Sequence, residues 1–431
     1  MKPQNLEEKI VWYYITGTYV LFLLGAQHFV APLMGWFFGG YVCKKLWEQT
    51  DETPPEERIT IPFGVWLWVI CMLMMEVTII ANHLDFDLGL TRIIKSTINI
   101  FGKSWALMAL FPLAGCLKIR PQLISRAVCI LCLQSLFFIP VSYIAGQIGL
   151  PDALYVSPLY KVGAVGKAAY TVFLYGTEPG SSATRLFLFA PWAPALGLIG
   201  NIYFFLAWQD PNKKWRWIGM ISSAIMVWGS ASRLGLISLV CIPIITFGLI
   251  NATKPVMQIT AGVGSLFAGL FGSQLITTLK DFKDNLEGQR ASSSRVREIL
   301  NRMAFYRWQT EAPIWGHGFL DEKGPYLVAY KPIGSHHTWF GVLFTQGIVG
   351  FIALATAMTL SFVDLLIKAQ KNATAQVGLT MLLVLIFYSI GENIEALAYL
   401  YWPGLMMMGI AFKEKISLTS SEACQETRVY S

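Results

Sequence analysis

Apolar runs of about twenty residues recur along this chain and constrain its fold more than any other feature. Each run is long enough to cross the hydrocarbon core of a bilayer. Hydrophobic residues make up 55% of the chain and charged residues 14%, whereas a soluble domain carries roughly 25% charged residues. The runs lack the period-two alternation of a transmembrane barrel. The sequence therefore predicts an all-α, polytopic membrane protein, with residues 1–431 forming a single integral membrane domain.

The polar breaks between the runs predict about 12 transmembrane helices. Residues 11–43 are too long for one span and short for two, so they predict a tight hairpin. The longest polar segment, 280–337, lies between the predicted helices 9 and 10 and forms a large extracytoplasmic loop. A polar cytoplasmic tail, 413–431, follows the last predicted helix.

The distribution of Lys and Arg predicts the orientation, because short cytoplasmic loops carry an excess of these residues. With a cytoplasmic N-terminus, every short basic loop falls on the cytoplasmic side except the stretch 92–103. Both termini are therefore predicted to be cytoplasmic. The same numbering puts the loop 151–185, the turn at Arg233 and the segment 280–337 together on the opposite face.

The formal net charge of +7 does not indicate nucleic-acid binding, because Lys and Arg set the orientation of a membrane protein. The sequence contains no P-loop, no Rossmann glycine pattern and no zinc motif. It also has no paired acidic residues in the segments of the opposite face that are suited to a divalent metal. We therefore expect neither a cofactor nor a metal ion.

Arg233 stands between two apolar runs in WGSASRLGLISL. An arginine at a membrane boundary is costly unless it snorkels or is paired. Its guanidinium suits bidentate binding of a phosphate, and the small residues around it indicate close approach of another group to the backbone. Anchoring at the membrane interface explains the same residue, so both interpretations stay open at this point.

A basic run, SSSRVREILNRMAFYRW, lies in the segment 280–337. From Arg297 onward its apolar residues recur at helical spacing, which predicts an amphipathic helix at the membrane surface. Arg295 and Arg297 at its start are candidates for binding an anion. The alternative is a solvated basic face.

His336 and His337 directly precede the next predicted span. A neutral imidazole can act as a general base near neutral pH, which makes both residues candidates for catalysis. A polar cap at the end of a span is the alternative. We interpret His317, in the turn PIWGHG, as structural. Glu392 and Glu395, near the last turn of the same face, are candidates to pair with an arginine of the site.

Three motifs follow one another in the second half of the chain: SASRLG at a helix–helix turn, an arginine-led helix before PIWGHG, and SHHTWFGVLFTQG. In this order they resemble the O-antigen ligase and polymerase family, over roughly residues 185–410. By spacing, the family's arginines correspond to Arg233 and Arg297, and its histidine to His336. The departures from the family pattern are Leu234 in place of glycine and His337 in place of asparagine.

The resemblance implies a multi-pass glycosyltransferase of the inner (plasma) membrane with its active site on the periplasmic face. It would move a glycan from a polyprenyl-diphosphate carrier to a hydroxyl of an acceptor glycan or lipid. Arg233, Arg297 and Arg295 would bind the diphosphate and stabilise the leaving group. His336 or His337 would take the proton of the acceptor hydroxyl. Single displacement without a metal ion would invert the anomeric centre.

Two questions stay open on the residues alone. The acceptor distinguishes a polymerase from a ligase, and no motif identifies it. A transporter or flippase for an anionic solute or a lipid-linked glycan is the alternative function. A transporter is expected to hold its charged residues near the middle of the membrane and often has an internal repeat. Here the cations gather at one face and no repeat is seen, which favours the transferase.

Overall fold

The computed structural model describes residues 1–55, 57–161, 167–177, 184–274, 276–278, 280–281, 291–320, 324–328 and 330–415. Its α-helices are α1 (Leu6–Thr16), α2 (Thr18–Leu23), α3 (Gln27–Glu48), α4 (Phe63–Asp85), α5 (Leu90–Ser96), α6 (Ala106–Ala114), α7 (Pro121–Gln147), α8 (Ala193–Trp208), α9 (Lys213–Gly229), α10 (Arg233–Ile250), α11 (Pro255–Leu270), α12 (Gly272–Thr278), α13 (Ala291–Glu311), α14 (Thr338–Ala369), α15 (Ala373–Ser389) and α16 (Ala398–Phe412). Most of the predicted tail, residues 416–431, lies outside the described residues.

Helices dominate the structure, which confirms the all-α class of the fold. Within the described residues, α4, α7, α10 and α14 are each long and apolar enough to span a membrane, and the bent pair α11–α12 would add one more. Two shorter helices, α8 and α15, are also apolar. The chain is thus a multi-pass helical membrane protein, and the total of about 12 spans stays a prediction.

The loop 151–185 departs from pure helix. Strand β1 (Ala153–Val156) pairs antiparallel with β2 (Thr171–Phe173), and β3 (Gly176–Thr177) pairs antiparallel with β4 (Thr184–Arg185). These two-stranded ribbons are short, and the second ends at Arg185, before α8 begins at Ala193. They connect helices and add no layer to the bundle.

The structure shows how the helices are arranged in two segments, 11–43 and 90–114. The hairpin predicted at 11–43 consists of α1 and α2, which meet at Gly17, followed by α3. Residues 90–114 form one helical run, because a π-helix, Thr97–Trp105, joins α5 to α6. Turns of π-helix often occur at functional sites.

Helix α16 lies at the centre of the bundle. Every residue from Ala398 to Phe412 is buried, as expected for a helix that is apolar on all sides. It packs against α6 and α15, while α14 packs along α4 and α8 along α9. The segment 390–397, which leads into α16 and ends in a 3-10 turn, is therefore held at the centre of one end of the bundle.

Helix α14 is interrupted at Gly347, where φ is 65° and ψ is −165°. The PIWGHG turn packs into this break, and the amide of Ile348 donates to the carbonyl of Pro313 at 3.0 Å. A Cβ at Gly347 would lie 2.2 Å from the carbonyl oxygen of Ile314, so only glycine fits. The interlock fixes the end of α13 against α14. The two motifs are therefore parts of one structural joint.

Candidate functional site

The apolar face of α13 determines which of its arginines reaches the site. Leu300 and Ala304 are fully buried in a small core with Val328 and Phe344. This packing fixes the rotation of the helix about its axis. Arg297, less than one turn before Leu300, is thereby directed toward the loop that leads into α16.

Arg297 binds that loop through two of its nitrogens. Its Nη1 donates to the carbonyl of Gly391 at 3.1 Å, and its Nη2 lies 3.4 Å from Oε1 of Glu392. Oε2 of Glu392 accepts a hydrogen bond from Trp192 at 3.1 Å. The Glu392 side chain is 4% exposed and that of Arg297 is 37% exposed. The guanidinium therefore compensates a buried carboxylate and stays accessible to a ligand.

Arg295 is exposed. Residues two positions apart on a helix do not face the same side, so Arg295 and Arg297 are directed differently. The structure brings Arg297 to the loop at Gly391 and leaves Arg295 at the surface.

The loop that carries the two histidines is attached on both sides. Before them, the carbonyl of Gly334 accepts a hydrogen bond from the Asn393 side chain at 3.2 Å. After them, Oγ1 of Thr338 donates to the carbonyl of Glu392 at 2.6 Å and accepts from the amide of Ile394 at 3.1 Å. His336 and His337 are thus held between two attachments to the loop that Arg297 binds.

The two histidines differ in their local roles. His337 is the N-cap of α14, and its Nδ1 accepts from the amide of Phe340 at 3.5 Å. His336 has a φ of 68°, in the left-handed region that non-glycine residues seldom occupy. Such strain is frequent at functional sites. Within the described part of the chain, the ring nitrogens of His336 have no hydrogen-bond partner.

Burial and nearby cations keep both imidazoles neutral. Burial, followed by the charges of Lys331 and Arg297, lowers the pKa of His336 to about 3. Burial and the charge of Arg297 lower the pKa of His337 to about 4. Burial also raises the pKa of Glu392, and Arg297 opposes that rise. At neutral pH, His336 therefore has a free lone pair beside an accessible guanidinium.

Arg233 is the first residue of α10, where Ser232 caps the helix by accepting from the amide of Gly235 at 3.2 Å. A Cβ on Gly391 would come within 2.8 Å of Leu234 and 3.7 Å of Nη1 of Arg297. The turn at Arg233 thus lies beside the carbonyl that Arg297 binds. Helices α10 and α14 both have their N-termini at this patch. The positive ends of their two dipoles therefore add to its positive charge.

The small residues around Arg233 serve helix packing. A Cβ at Gly235 would lie 3.0 Å from the hydroxyl oxygen of Tyr388, and one at Gly197 would lie 3.0 Å from Cβ of Ser232. The close approach inferred from the sequence is therefore made by α8 and α15.

Arg185 was missed by the sequence analysis. It is buried, and its Nε and Nη2 donate to the carbonyl of Ser230 at 3.0 and 2.9 Å. Nη2 also donates to the carbonyl of Ala231 at 3.2 Å, a residue with a φ of 49°. Arg185 therefore holds the strained turn that precedes Arg233. The one signal in the sequence was an arginine at the end of a polar loop.

The contacts of His317 are those of a structural residue, as we interpreted it from the sequence. Its ring stacks on Phe344, with ring centroids 4.3 Å apart. Its Nδ1 lies 3.0 Å from the Phe344 carbonyl, and its Nε2 lies 2.8 Å from the Glu311 carboxylate. Both nitrogens are thus occupied within the interlock.

The geometry therefore joins the turn at Arg233, Arg297 and the two histidines in one patch and leaves Arg295 at its margin. Comparison with curated proteins gave no match. Residues 218–355, from within α9 to within α14, match the family model Wzy_C, described as O-antigen ligase. The match confirms the resemblance found in the motifs, because the matched residues 218–355 include Arg233, Arg297 and His336.

Proposed function

We propose that this protein is a membrane glycosyltransferase that moves a glycan from a polyprenyl-diphosphate carrier to an acceptor hydroxyl. The family match supports a ligase- or polymerase-type activity. The observation that carries the proposal is the partly exposed guanidinium of Arg297 beside His336, whose imidazole is neutral at neutral pH. This pairing suits a reaction with an anionic leaving group and a hydroxyl nucleophile.

In this proposal Arg297 and Arg233 bind the diphosphate of the donor. Arginine binds phosphate oxygens in a bidentate manner, and helix N-termini favour anions. Arg295 contributes only long-range attraction to the donor, because it is exposed on another side of α13. The isoprenoid tail stays in the bilayer.

His336 is the proposed general base, since its ring nitrogens have no partner in the described chain whereas Nδ1 of His337 caps α14. His336 takes the proton of the acceptor hydroxyl while the oxygen of that hydroxyl attacks the anomeric carbon. The bond from that carbon to the diphosphate oxygen breaks, and the electron pair leaves with the diphosphate. The bound diphosphate also offsets the cations and raises the pKa of His336 toward the range useful for a base.

Such a single displacement inverts the anomeric centre. The leaving group is already a diphosphate, and the cations of the site stabilise its charge, so we propose that the reaction needs no metal ion. The distribution of Lys and Arg supports cytoplasmic termini and a periplasmic site. The partners are then the lipid-linked donor, an acceptor glycan or lipid, and the bilayer.

The test is glycan transfer by the purified protein in detergent, from extracted polyprenyl-diphosphate glycan, with and without EDTA. Arg297→Ala, Arg233→Ala and His336→Ala are expected to abolish transfer. Arg302→Ala is the matched control, because Arg302 is 79% exposed and pairs with Glu298 on α13. EDTA is expected to have no effect.

The product identifies the acceptor. Lengthened carrier-linked glycan indicates a polymerase, and transfer to a separate lipid acceptor indicates a ligase. The configuration of the new linkage, measured by NMR, tests inversion. If the carrier-linked glycan stays intact while reconstituted vesicles move a solute or flip the carrier, the protein is a transporter.

A further inference from the structure

A half-buried lysine, Lys331, lies in the loop before the two histidines, and its charge lowers the pKa of His336. Val328 and Ile333 flank it and are buried against Leu300 and Ala304 of α13. The loop is therefore fixed on both sides of Lys331 to the helix that carries Arg297. This packing brings the lysine to the patch.

The backbone at Lys331 is fixed by a tight turn. Its amide donates to the carbonyl of Val328 at 3.1 Å, and the amide of Gly324 donates to the carbonyl of Tyr330 at 3.1 Å. Tyr330 has a φ of 59° and is 56% exposed. The turn therefore sends Tyr330 outward, while the next residue, Lys331, is half-buried.

The charges around Lys331 do not balance. The charge of Arg297 lowers the pKa of Lys331 and that of Glu392 raises it, and Lys331 in turn lowers the pKa of His336. The two oxygens of Glu392 already accept hydrogen bonds from Arg297 and Trp192. Among the residues that the structure describes, no carboxylate lies within ion-pair distance of Lys331. Of these two cations, Arg297 is thus paired with a buried carboxylate and Lys331 is not, and both act on the neutral imidazole of His336.

Burial, followed by the charge of Arg297, lowers the pKa of Lys331. A half-buried ammonium next to a guanidinium is unfavourable unless an anion compensates it. An anion bound between Lys331 and Arg297 would supply that compensation.

We propose that Lys331 is a phosphate-binding residue of the donor site. Its ammonium binds a non-bridging oxygen of the diphosphate, so that Lys331 and Arg297 hold the leaving group from two sides. The proposal rests on the function proposed above and adds a binding residue to it. The headgroup of an anionic phospholipid shares this phosphate chemistry, and the experiment separates the two sources.

The test measures binding by the full-length protein in nanodiscs, with farnesyl diphosphate as the probe. Lys331→Met is expected to weaken its binding about 10- to 100-fold, the range for a hydrogen bond between charged groups. Lys331→Arg keeps the charge and is expected to bind within a few-fold of wild type. Arg302→Met, which removes an exposed cation of α13, is expected to leave binding unchanged.

A second arm repeats the measurement in nanodiscs with and without phosphatidylglycerol. If Lys331→Met binds farnesyl diphosphate as wild type does, the proposal is wrong. It is also wrong if the variant loses only the interaction with phosphatidylglycerol, since Lys331 would then bind a headgroup.

A measurement on the wild-type protein tests the proposal even if the variants fail to fold. Acetylation of lysines is followed by mass spectrometry with and without farnesyl diphosphate. Protection of Lys331 is expected, without protection of Lys44, whose side chain is 66% exposed. Equal labelling of Lys331 in both samples would overturn the proposal.

The two proposals fail in different ways. If wild type transfers glycan and Lys331→Met has an unchanged KM and unchanged binding, the role of Lys331 is wrong and the transferase stands. If Lys331 is protected and required for binding while wild type transfers no glycan, the phosphate site stands and the transferase is wrong.

Discussion

Oγ1 of Thr338 donates a 2.6 Å hydrogen bond to the carbonyl oxygen of Glu392. This bond joins the first residue after the histidine pair to the residue whose carboxylate neutralises Arg297. The proposed general base and the arginine proposed to bind the diphosphate therefore depend on the same buried contact for their relative position.

Thr338→Val is expected to destabilise the protein by about 1–3 kcal/mol, because the buried carbonyl of Glu392 and the amide of Ile394 each lose a partner. Transfer is expected to fall at least 10-fold as His336 moves. Thermal unfolding in detergent and the transfer assay measure the two effects. The control is Thr345→Val, whose hydroxyl donates within its own helix, to the carbonyl of Gly341 at 2.8 Å. Equal effects of both variants would contradict the role of the hydrogen bond between Thr338 and Glu392.

Arg297→Gln is expected to abolish transfer and to destabilise the fold by about 1–3 kcal/mol. It leaves the carboxylate of Glu392 buried with Trp192 as its side-chain donor, but solvent around the 37% exposed Arg297 keeps the loss below that of a fully buried ion pair. Adding Glu392→Gln is expected to restore most of the stability and none of the transfer, measured by unfolding and activity. If the double variant regains transfer, Arg297 serves to neutralise Glu392 and is not needed to bind the donor.

The pH dependence follows from the depressed pKa of His336, about 3 against an ordinary value of 6.5. The folded state prefers neutral imidazole, so its contribution to stability is complete above pH 6.5 and declines as the pH falls from there toward 3. The value of kcat/KM should therefore show no inflection from His336 between about pH 7 and 5. Lys331→Met removes one of the two cations that lower the pKa of His336. The inflection of kcat/KM should therefore occur at a higher pH in this variant than in wild type. An inflection near the ordinary histidine value in wild type would contradict this account.

Gly347→Ala is expected to unfold the interlock between PIWGHG and α14. The new Cβ would lie 2.2 Å from the carbonyl oxygen of Ile314, at a φ of 65°. We expect a loss of at least about 2 kcal/mol, since strain and overpacking add. Gly248→Ala is the matched control, because nothing lies within 4 Å of its Cβ position and alanine favours a helix. Thermal unfolding compares the two, and similar melting temperatures would show that the interlock is dispensable.

The class of the protein and several candidate residues for the site could be predicted from the sequence alone. Apolar runs of membrane-spanning length leave few alternatives to a helical membrane protein, and the family match covers the motifs around Arg233, Arg297 and His336. These features are local, so their order along the chain is enough to recognise them. Apolar residues at helical spacing from Arg297 onward likewise predicted a helix, and α13 extends from Ala291 to Glu311.

Tertiary structure decided which charges meet. Arg297 and Glu392 are 95 positions apart and Arg185 and Ser230 are 45 apart, and no local pattern connects such residues. Arg297 reaches the loop and Arg295 does not because the burial of Leu300 fixes the rotation of α13. Periodicity shows that a helix has an apolar face, but the partners of its polar side chains depend on what that face packs against.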